Sequence, residues 1–231
     1  MRSAALNERL FSAAKLVRQD AVFADIGTDH AYLPLFLLKT GRVKRVFCSD
    51  INEGPLSKAR ENARENGLER EITFILSNGA ELLPRGVITD YAICGMGGEL
   101  ISDIISRSPD FLREDVRLIL QPMTRCAHLR RFLLSSGFEI LTESYSEDDG
   151  KIYVVLLAKY TDAARNIDDA EAEIGAKNAE IVNKNLQKTY LERRKRAIES
   201  VINGKNVSGL DTSREEYLLR KISDYLEGCS V

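Results

Sequence analysis

Between residues 21 and 160, short apolar runs alternate with stretches whose apolar residues recur every three or four positions. Glycine or proline marks most of the changeovers. Residues 21–25 (AVFAD) read as a first strand that stops just before Gly27. Residues 31–39 read as a helix with Pro34 in its first turn, where a missing N–H costs little. Residues 43–50 form a second strand ending in an acid. Gly54-Pro55 then opens a polar helix that Gly67 closes as a C-terminal cap. Further strands are predicted over 72–76, 91–94 and 116–120, with helices over 100–106 and 127–135. Residues 138–144 and 152–159 are two more strands, and the polar turn 147–150 between them is too short for a helix, so they must be antiparallel. Strands alternating with helices predict an α/β, Rossmann-like, doubly wound sheet of seven strands, mostly parallel with the last antiparallel.

The pattern changes after Tyr160. Residues 161–175 are acidic and alanine-rich and read as a linker. From 176 to 203, Val182, Leu186, Tyr190, Ala197 and Val201 fall on one helical face. The stretch 204–211 interrupts it. Ser213 and Glu216 then make a capping box ahead of a second stripe, Leu218, Ile222 and Tyr225. A coiled-coil-like helical hairpin over 161–231 is expected behind a catalytic domain over 1–160. Leu6, Leu10, Ala13, Ala14 and Val17 predict one more amphipathic helix at the start.

Composition narrows the classes. At 231 residues the chain can hold one large domain, or one of about 160 residues with an appendage. No apolar run approaches the roughly 20 residues of a membrane span, and the N-terminal stretch does not read as a signal peptide. Cys48, Cys94, Cys126 and Cys229 are scattered and do not cluster with His30 or His128. Reduced thiols in a cytoplasmic protein without structural zinc are expected. The net charge of −2 argues against indiscriminate coating of nucleic acid but leaves a local basic patch open. No metal, no membrane and no obligate protein partner is called for.

In open α/β sheets ligands bind beyond the carboxyl ends of the strands. The first such end is Asp25-Ile26-Gly27-Thr28-Asp29-His30. Gly27 permits a sharp turn, but Asp29 stands where a dinucleotide loop carries glycine, and a diphosphate there would meet a carboxylate. A cationic amino acid or sulfonium would be welcome instead, which favours S-adenosylmethionine over a dinucleotide. Asp50, followed by Ile51, ends the second strand and can accept ribose hydroxyls or cap the next helix. Asn78 and Gly79 end the third, either as an adenine contact with room for the ring or as a plain turn. The fourth end, Cys94-Gly95-Met96-Gly97-Gly98, places three glycines where backbone passes close to a ligand, or where strand and helix pack tightly. Gln121 and Pro122, ending the fifth, face the same crevice and are candidates for touching the target. His30 is either a base or a cap for the following helix. His128, among Arg125, Arg130 and Arg131, reads as basic surface.

The runs ADIGTDHAYLP (from Ala24), CGMGGELI (from Cys94), LILQPM (from Leu118) and EDDGKIYVVLLA (from Glu147) resemble the bacterial tRNA (adenine-22-N1)-methyltransferase family. The resemblance covers the chain to about Lys159, and the hairpin fits it in position and type. It implies a class I methyltransferase sheet, S-adenosylmethionine as cofactor with S-adenosylhomocysteine as product, and methylation of N1 of adenine 22 in tRNA. Carried over by position, Gly27, Asp29, Asp50, Ile51, Asn78 and Gly95 would contact the cofactor, and Asp25, His30, Gly79 and Met96 in the same strand-end loops complete the cofactor candidates. Where the family often has an acid before the glycine of the third loop, this chain has Asn78. Gly97, Gln121 and Pro122 are candidates for the target base. Lys188, Arg193, Arg194 and Arg196 on the hairpin are candidates for RNA phosphates, or form a solvated helix face. Asp29 has two open roles: stabilising the charge that develops on the methylated ring, or holding the cofactor's amine. A methyltransferase of a small molecule or protein, with the hairpin as a dimerisation element, and a nucleotide-sensing binding module are the competing readings.

Overall fold

Strand β1 (Ala21–Ile26) lies at the centre because it pairs in parallel on one side with β2 (Val43–Asp50) and on the other with β4 (Asp90–Gly97). Beyond β2 lies β3 (Ile72–Leu76), and beyond β4 lies β5 (Arg117–Thr124), both parallel to their neighbours. β7 (Lys151–Tyr160) then pairs antiparallel with both β5 and β6 (Phe138–Asp148). The order is β3-β2-β1-β4-β5-β7-β6-β8 in a single eight-stranded sheet. It reverses between β1 and β4, which opens the crevice where such sheets bind ligands. These features come from a computed structural model that describes residues 6–228; Cys229 and the first five residues of the N-terminal stretch lie outside the described part.

Helices cover both faces, as the alternation of β1 requires: Ala24 and Ile26 point into one cluster, Ala21 and Phe23 into the other. The first cluster receives α4 (Gly98–Ser106) and α5 (Cys126–Ser135). The second receives α1 (Glu8–Leu16), α2 (Tyr32–Lys39) and α3 (Glu53–Glu65). The punctuation holds at α3, where Gly67 follows the last turn at φ +70 and its N–H bonds back to Arg64. Among the described residues no helix is long and apolar enough to cross a membrane.

The segment after Tyr160 differs from its expected form. Between a short helix, α6 (Asp169–Ile174), and the long α7 (Lys184–Val207) runs a strand, β8 (Glu180–Val182), which pairs in parallel with β6 and makes the sheet eight-stranded rather than seven. α7 therefore starts at Lys184, not at 176. Its buried face also differs from the expected stripe. Gln187, Leu191 and Ile198 are buried, whereas Val182, Ala197 and Val201 are exposed. The helix serves two partners: Leu186 and Tyr190 pack on the sheet core, while Leu191, Ile198 and Ile202 pack on α8 (Ser213–Gly228). Two stripes set slightly apart blur the single period that the sequence suggests. The stripe of α8 is as expected at Leu218 and Ile222, both buried. Its capping box is not: Ser213 is already helical and donates to Asp211, and Thr212 is the residue that donates to Glu216.

Arg130, read as basic surface, is fully buried. It donates to Glu143 and to the backbone carbonyl of Ala172, so it ties α5, β6 and α6 together.

Candidate active site

The crevice is lined by the carboxyl ends of β1, β2, β3 and β4. After β1 the chain turns at Gly27 (φ +76), and the N–H groups of Gly27 and Thr28 both donate to the carbonyl of Ser49 at the end of β2. This pins the loop to the neighbouring strand. A Cβ at position 27 would lie 2.0 Å from the terminal methyl of Met96, so that side chain lies directly over the glycine. Gly27 is needed for its backbone angle, whereas the Met96 methyl is the far end of a flexible side chain and could move aside.

Asp25 is buried and accepts the Thr28 hydroxyl at 2.5 Å. Burial pushes its carboxyl up to about 6; the Thr28 bond opposes this and the nearby Asp50 adds to it. Asp29, in contrast, has a side chain 68% exposed, with His30 Nε2 3.5 Å away. His30 stacks on Tyr32 with ring centroids 5.2 Å apart, and α2 has no side-chain cap, so the capping role considered for His30 is not the one it plays. Asp50 accepts the N–H of Asn52 at 2.8 Å through one oxygen and makes no side-chain cap on α3. Ile51 beside it is 63% exposed, an apolar surface at the rim. The third loop is tied in by Ser49, whose hydroxyl donates to the carbonyl of Gly79. The space expected over Gly79 is taken: a Cβ there would meet Ile104 at 3.0 Å. Asn78 faces Arg107, whose Nη2 is 3.5 Å from Asn78 Oδ1.

The glycines of the fourth loop separate into different tasks. Gly98 answers to packing, since a Cβ would stand 2.5 Å from the Arg125 carbonyl oxygen. Gly97 passes Thr124 at 3.3 Å in the same terms. Gly95 has φ +82 and sits in the bulge where β4 shifts register against β5. Its N–H donates to Gln121 Oε1 at 3.0 Å, and Arg9 Nη1 from α1 donates to the same oxygen at 2.5 Å. Gln121 also donates to the Pro122 carbonyl. It is therefore an internal brace with its amide committed, rather than a group offered to a target as expected. Thr28, Ser49 and Arg9 carry parts of this site that sequence reasoning missed; Arg9 stands on a helix whose only visible signal was its apolar stripe.

A second space of about 830 Å³ opens beyond β5, between the sheet and the hairpin. Pro122, Met123, Tyr153 and Tyr190 line it together with Arg125, His128, Arg131, Lys151, Arg193, Arg194 and Arg214. Glu99 and Glu173 are the acids on its wall. Arg193 donates to the carbonyl of Gly150 and pairs with Glu147 at 3.2 Å, and Arg194 pairs with Glu173 at 3.0 Å. Arg193 thus braces α7 against the β6–β7 turn and Arg194 braces it against α6, and both also line the space. Lys188 and Arg196 do not line it; Arg196 is exposed.

The donor set fits an S-adenosyl amino acid better than a diphosphate. Carboxylates close the first and second strands, the glycine turn lacks the further glycines of a dinucleotide loop, and apolar Ile51 and Met96 flank them. Burial pushes the Cys94 thiol up to about 12 and Cys126 to about 11, so neither is a ready nucleophile at neutral pH. Among the described residues no cluster of histidine, cysteine and acids could hold a metal ion.

Comparison with known proteins agrees with this geometry. Residues 6–156 match the family model described as a methyltransferase domain. The tRNA (adenine(22)-N(1))-methyltransferase of Bacillus subtilis is 29% identical over 224 residues, 96% of this chain and 94% of its own length. The structure of M. capricolum TrmK with S-adenosyl-homocysteine is 28% identical with a TM-score of 0.80, covering 96% of this chain and 98% of that one. A putative tRNA (m1A22) methyltransferase from Streptococcus pneumoniae in complex with S-adenosyl-L-methionine is 29% identical with a TM-score of 0.80, over 94% and 98%. A switch-point crevice with carboxylates at its first two strand ends, on a chain whose first two-thirds match that model, makes this protein a member of the methyltransferase-domain family.

Proposed function

We propose that this chain transfers a methyl group from S-adenosylmethionine to N1 of adenine 22 in tRNA, and that it does so in the cytoplasm. The observation that carries the reading is the crevice with acids at the ends of β1 and β2, set in a chain alike over 96% of its length to a tRNA (adenine(22)-N(1))-methyltransferase. Residues 1–160 serve the chemistry and residues 161–231 help to grip the RNA.

S-adenosylmethionine supplies, when bound, a methyl group made electrophilic by its sulfonium. Asp50 would receive the ribose hydroxyls, and Ile51 and Asn78 would border the adenine. Gly27 keeps backbone close on the amino-acid side, with Asp25 and Asp29 facing its amine. Adenine N1 has a free lone pair, so no strong base is needed to make the nucleophile. Alignment of N1 with the methyl group is the main task, and rigid positioning supplies much of the rate. Gln121 does this at a distance by fixing Gly95, while Gly97 and Pro122 border the target side. Methylation leaves the base cationic, and the exposed carboxylate of Asp29 would stabilise that charge.

The test is methyl transfer from labelled S-adenosylmethionine to unmodified tRNA carrying adenine 22, beside the same tRNA with guanine 22. Labelling of the first alone is expected; equal labelling of both would overturn the adenine-22 assignment. Asp29→Ala should collapse turnover. An unchanged affinity for S-adenosylhomocysteine in that variant assigns Asp29 to the developing charge, and a lost affinity assigns it to the cofactor amine.

A further inference from the structure

The sheet parts at one place along its carboxyl edge. Strands β5 and β7 pair from Leu118 with Ala158 to Leu120 with Leu156, where the ladder ends. Yet β5 runs on to Thr124 and β7 begins at Lys151, so the two strands diverge beyond that point. Pro122, with no N–H to give to a ladder, stands at the divergence. The space of about 830 Å³ opens there, with Pro122, Met123 and Thr124 on one wall and residues 151–154 on another. It adjoins the target side of the crevice, because Pro122 and Thr124 are the register partners of Met96 and Gly97. An RNA strand whose target base borders Gly97 and Pro122 continues past them, and this is the room beside them.

The cations lining the space are not equally free. Arg193 and Arg194 each face an acid of their own, Glu147 and Glu173, and Arg125 faces Glu99 at 3.6 Å. Arg131 of α5 and Arg214 of α8 share one carboxylate: Asp169 holds the first through Oδ1 and the second through Oδ2, each at 2.5 Å. Two guanidiniums on one acid leave a net positive charge, and each keeps further N–H donors in its planar fork. Lys151 and His128 line the same space, both exposed, and among the described residues neither side chain forms an ion pair or hydrogen bond. The excess charge is therefore positive and local to this wall. Tyr190, Ile152 and Val154 make another part of the lining aromatic and apolar. A polyanion that carries flat bases complements both parts, and the volume lies within the roughly 300–1,000 Å³ of ligand pockets.

We propose that the RNA strand flanking the target nucleotide lies in this space, its phosphates held by Lys151 and by the Arg131–Arg214 pair across Asp169. The proposal rests on the reading of the chain as a tRNA methyltransferase and names the part of the protein that steadies the strand beside the reacting base. Asp169 sets the two guanidiniums in place before RNA arrives, which lowers the cost of ordering them on binding. The walls come from β5, β7, α5 and α8, so the catalytic sheet and the C-terminal helices build the site together.

The test measures binding of unmodified tRNA to the full chain with S-adenosylhomocysteine present. Lys151→Gln should weaken binding by about 5- to 10-fold at roughly 0.1 M salt and lower the slope of log K against log salt by about 0.7–0.9. Arg214→Gln should lower the slope likewise, since Asp169 then neutralises Arg131 alone. Lys44→Gln, the same charge change on an exposed residue at the amino end of β2, should stay within about twofold of the wild type. A neutral methylphosphonate is then placed singly at each phosphate neighbouring position 22. At one of them at least, it should weaken the wild type by about 5- to 10-fold and the Lys151→Gln chain by less than about twofold, because that contact is already lost. Equal weakening of both chains at every position would place Lys151 away from the flanking strand and overturn the proposal. A Lys151→Gln chain that binds as well as the Lys44→Gln control would overturn it too. A wild-type chain that transfers no methyl group to adenine 22 would overturn the functional reading and this proposal together, whereas the two preceding outcomes leave that reading standing.

Discussion

Arg130 and Glu143 face each other with both side chains fully buried, joined by bonds of 2.9 Å from Nε and 2.7 Å from Nη2. Glu143 also accepts the N–H of Ala176 and the hydroxyl of Tyr145, and Arg130 reaches the carbonyl of Ala172. The pair therefore fastens the start of the C-terminal segment to the sheet.

Breaking one side of such a pair strands a charge. Arg130→Met should lower stability by about 3–5 kcal/mol, and the double change Arg130→Met with Glu143→Leu by clearly less, because no buried charge remains unpaired. Denaturant unfolding of the three proteins checks this. Equal losses in the single and double variants would show that packing, not charge, dominates here.

Asp25 makes stability depend on pH. Its carboxyl is raised from 3.8 to about 6 in the folded chain, so its contribution is complete below 3.8 and is lost as pH rises through about 6. Asp25→Asn should remove that dependence and gain about 3 kcal/mol over the wild type at pH 8 in the absence of cofactor. Melting midpoints of both proteins across pH 4 to 8 give the answer. The same variant should lose affinity for S-adenosylhomocysteine, whose amine the carboxylate faces in the proposed site.

Two glycines should respond in opposite directions. Gly98→Ala drives a Cβ to 2.5 Å from the Arg125 carbonyl oxygen and 3.1 Å from that of Thr124. Backbone must move, at a cost of about 1–3 kcal/mol. Gly204, inside α7 with nothing within 4 Å of an added Cβ, should gain about 0.5–1 kcal/mol as alanine. Chemical denaturation compares both with the wild type.

The hairpin arginines are expected to differ in the same assay. Arg196→Gln should weaken tRNA binding and reduce the slope of log K against log salt by about one unit, with the melting midpoint unchanged. Arg194→Gln should lower both, since it also loses the pair with Glu173, worth up to about 1 kcal/mol for a partly exposed contact. Salt-titrated tRNA binding alongside thermal melts separates the two. Unchanged salt slopes in both variants would favour the hairpin as a protein–protein element.

Much of the site was legible because strand ends announce themselves. An apolar run that stops at Asp25-Ile26-Gly27, or at Asp50, has few places to go except a turn at the sheet's edge, and the sheet places such turns side by side. The reasons behind individual residues were less legible. Gly79 and Gly98 look like room for a ligand in sequence, yet their space belongs to Ile104 and to the Arg125 backbone. Gln121 looks like an offered amide and is a brace. Arg130 looks like one more surface cation in a run of arginines, and only its place on the inner side of α5, opposite Glu143, makes it buried.

The chain by itself determined the alternation of strands and helices, the antiparallel final pair and the sites of the ligand-facing turns, because these follow from period, turn chemistry and the reach of short connections. Tertiary structure decided what depends on partners distant in sequence. A three-residue strand, β8, has too few positions to show a period and exists through its pairing with β6. α7 has two buried stripes because it touches two cores. Arg9 meets Gln121 across 112 residues of chain, a contact no local pattern can encode.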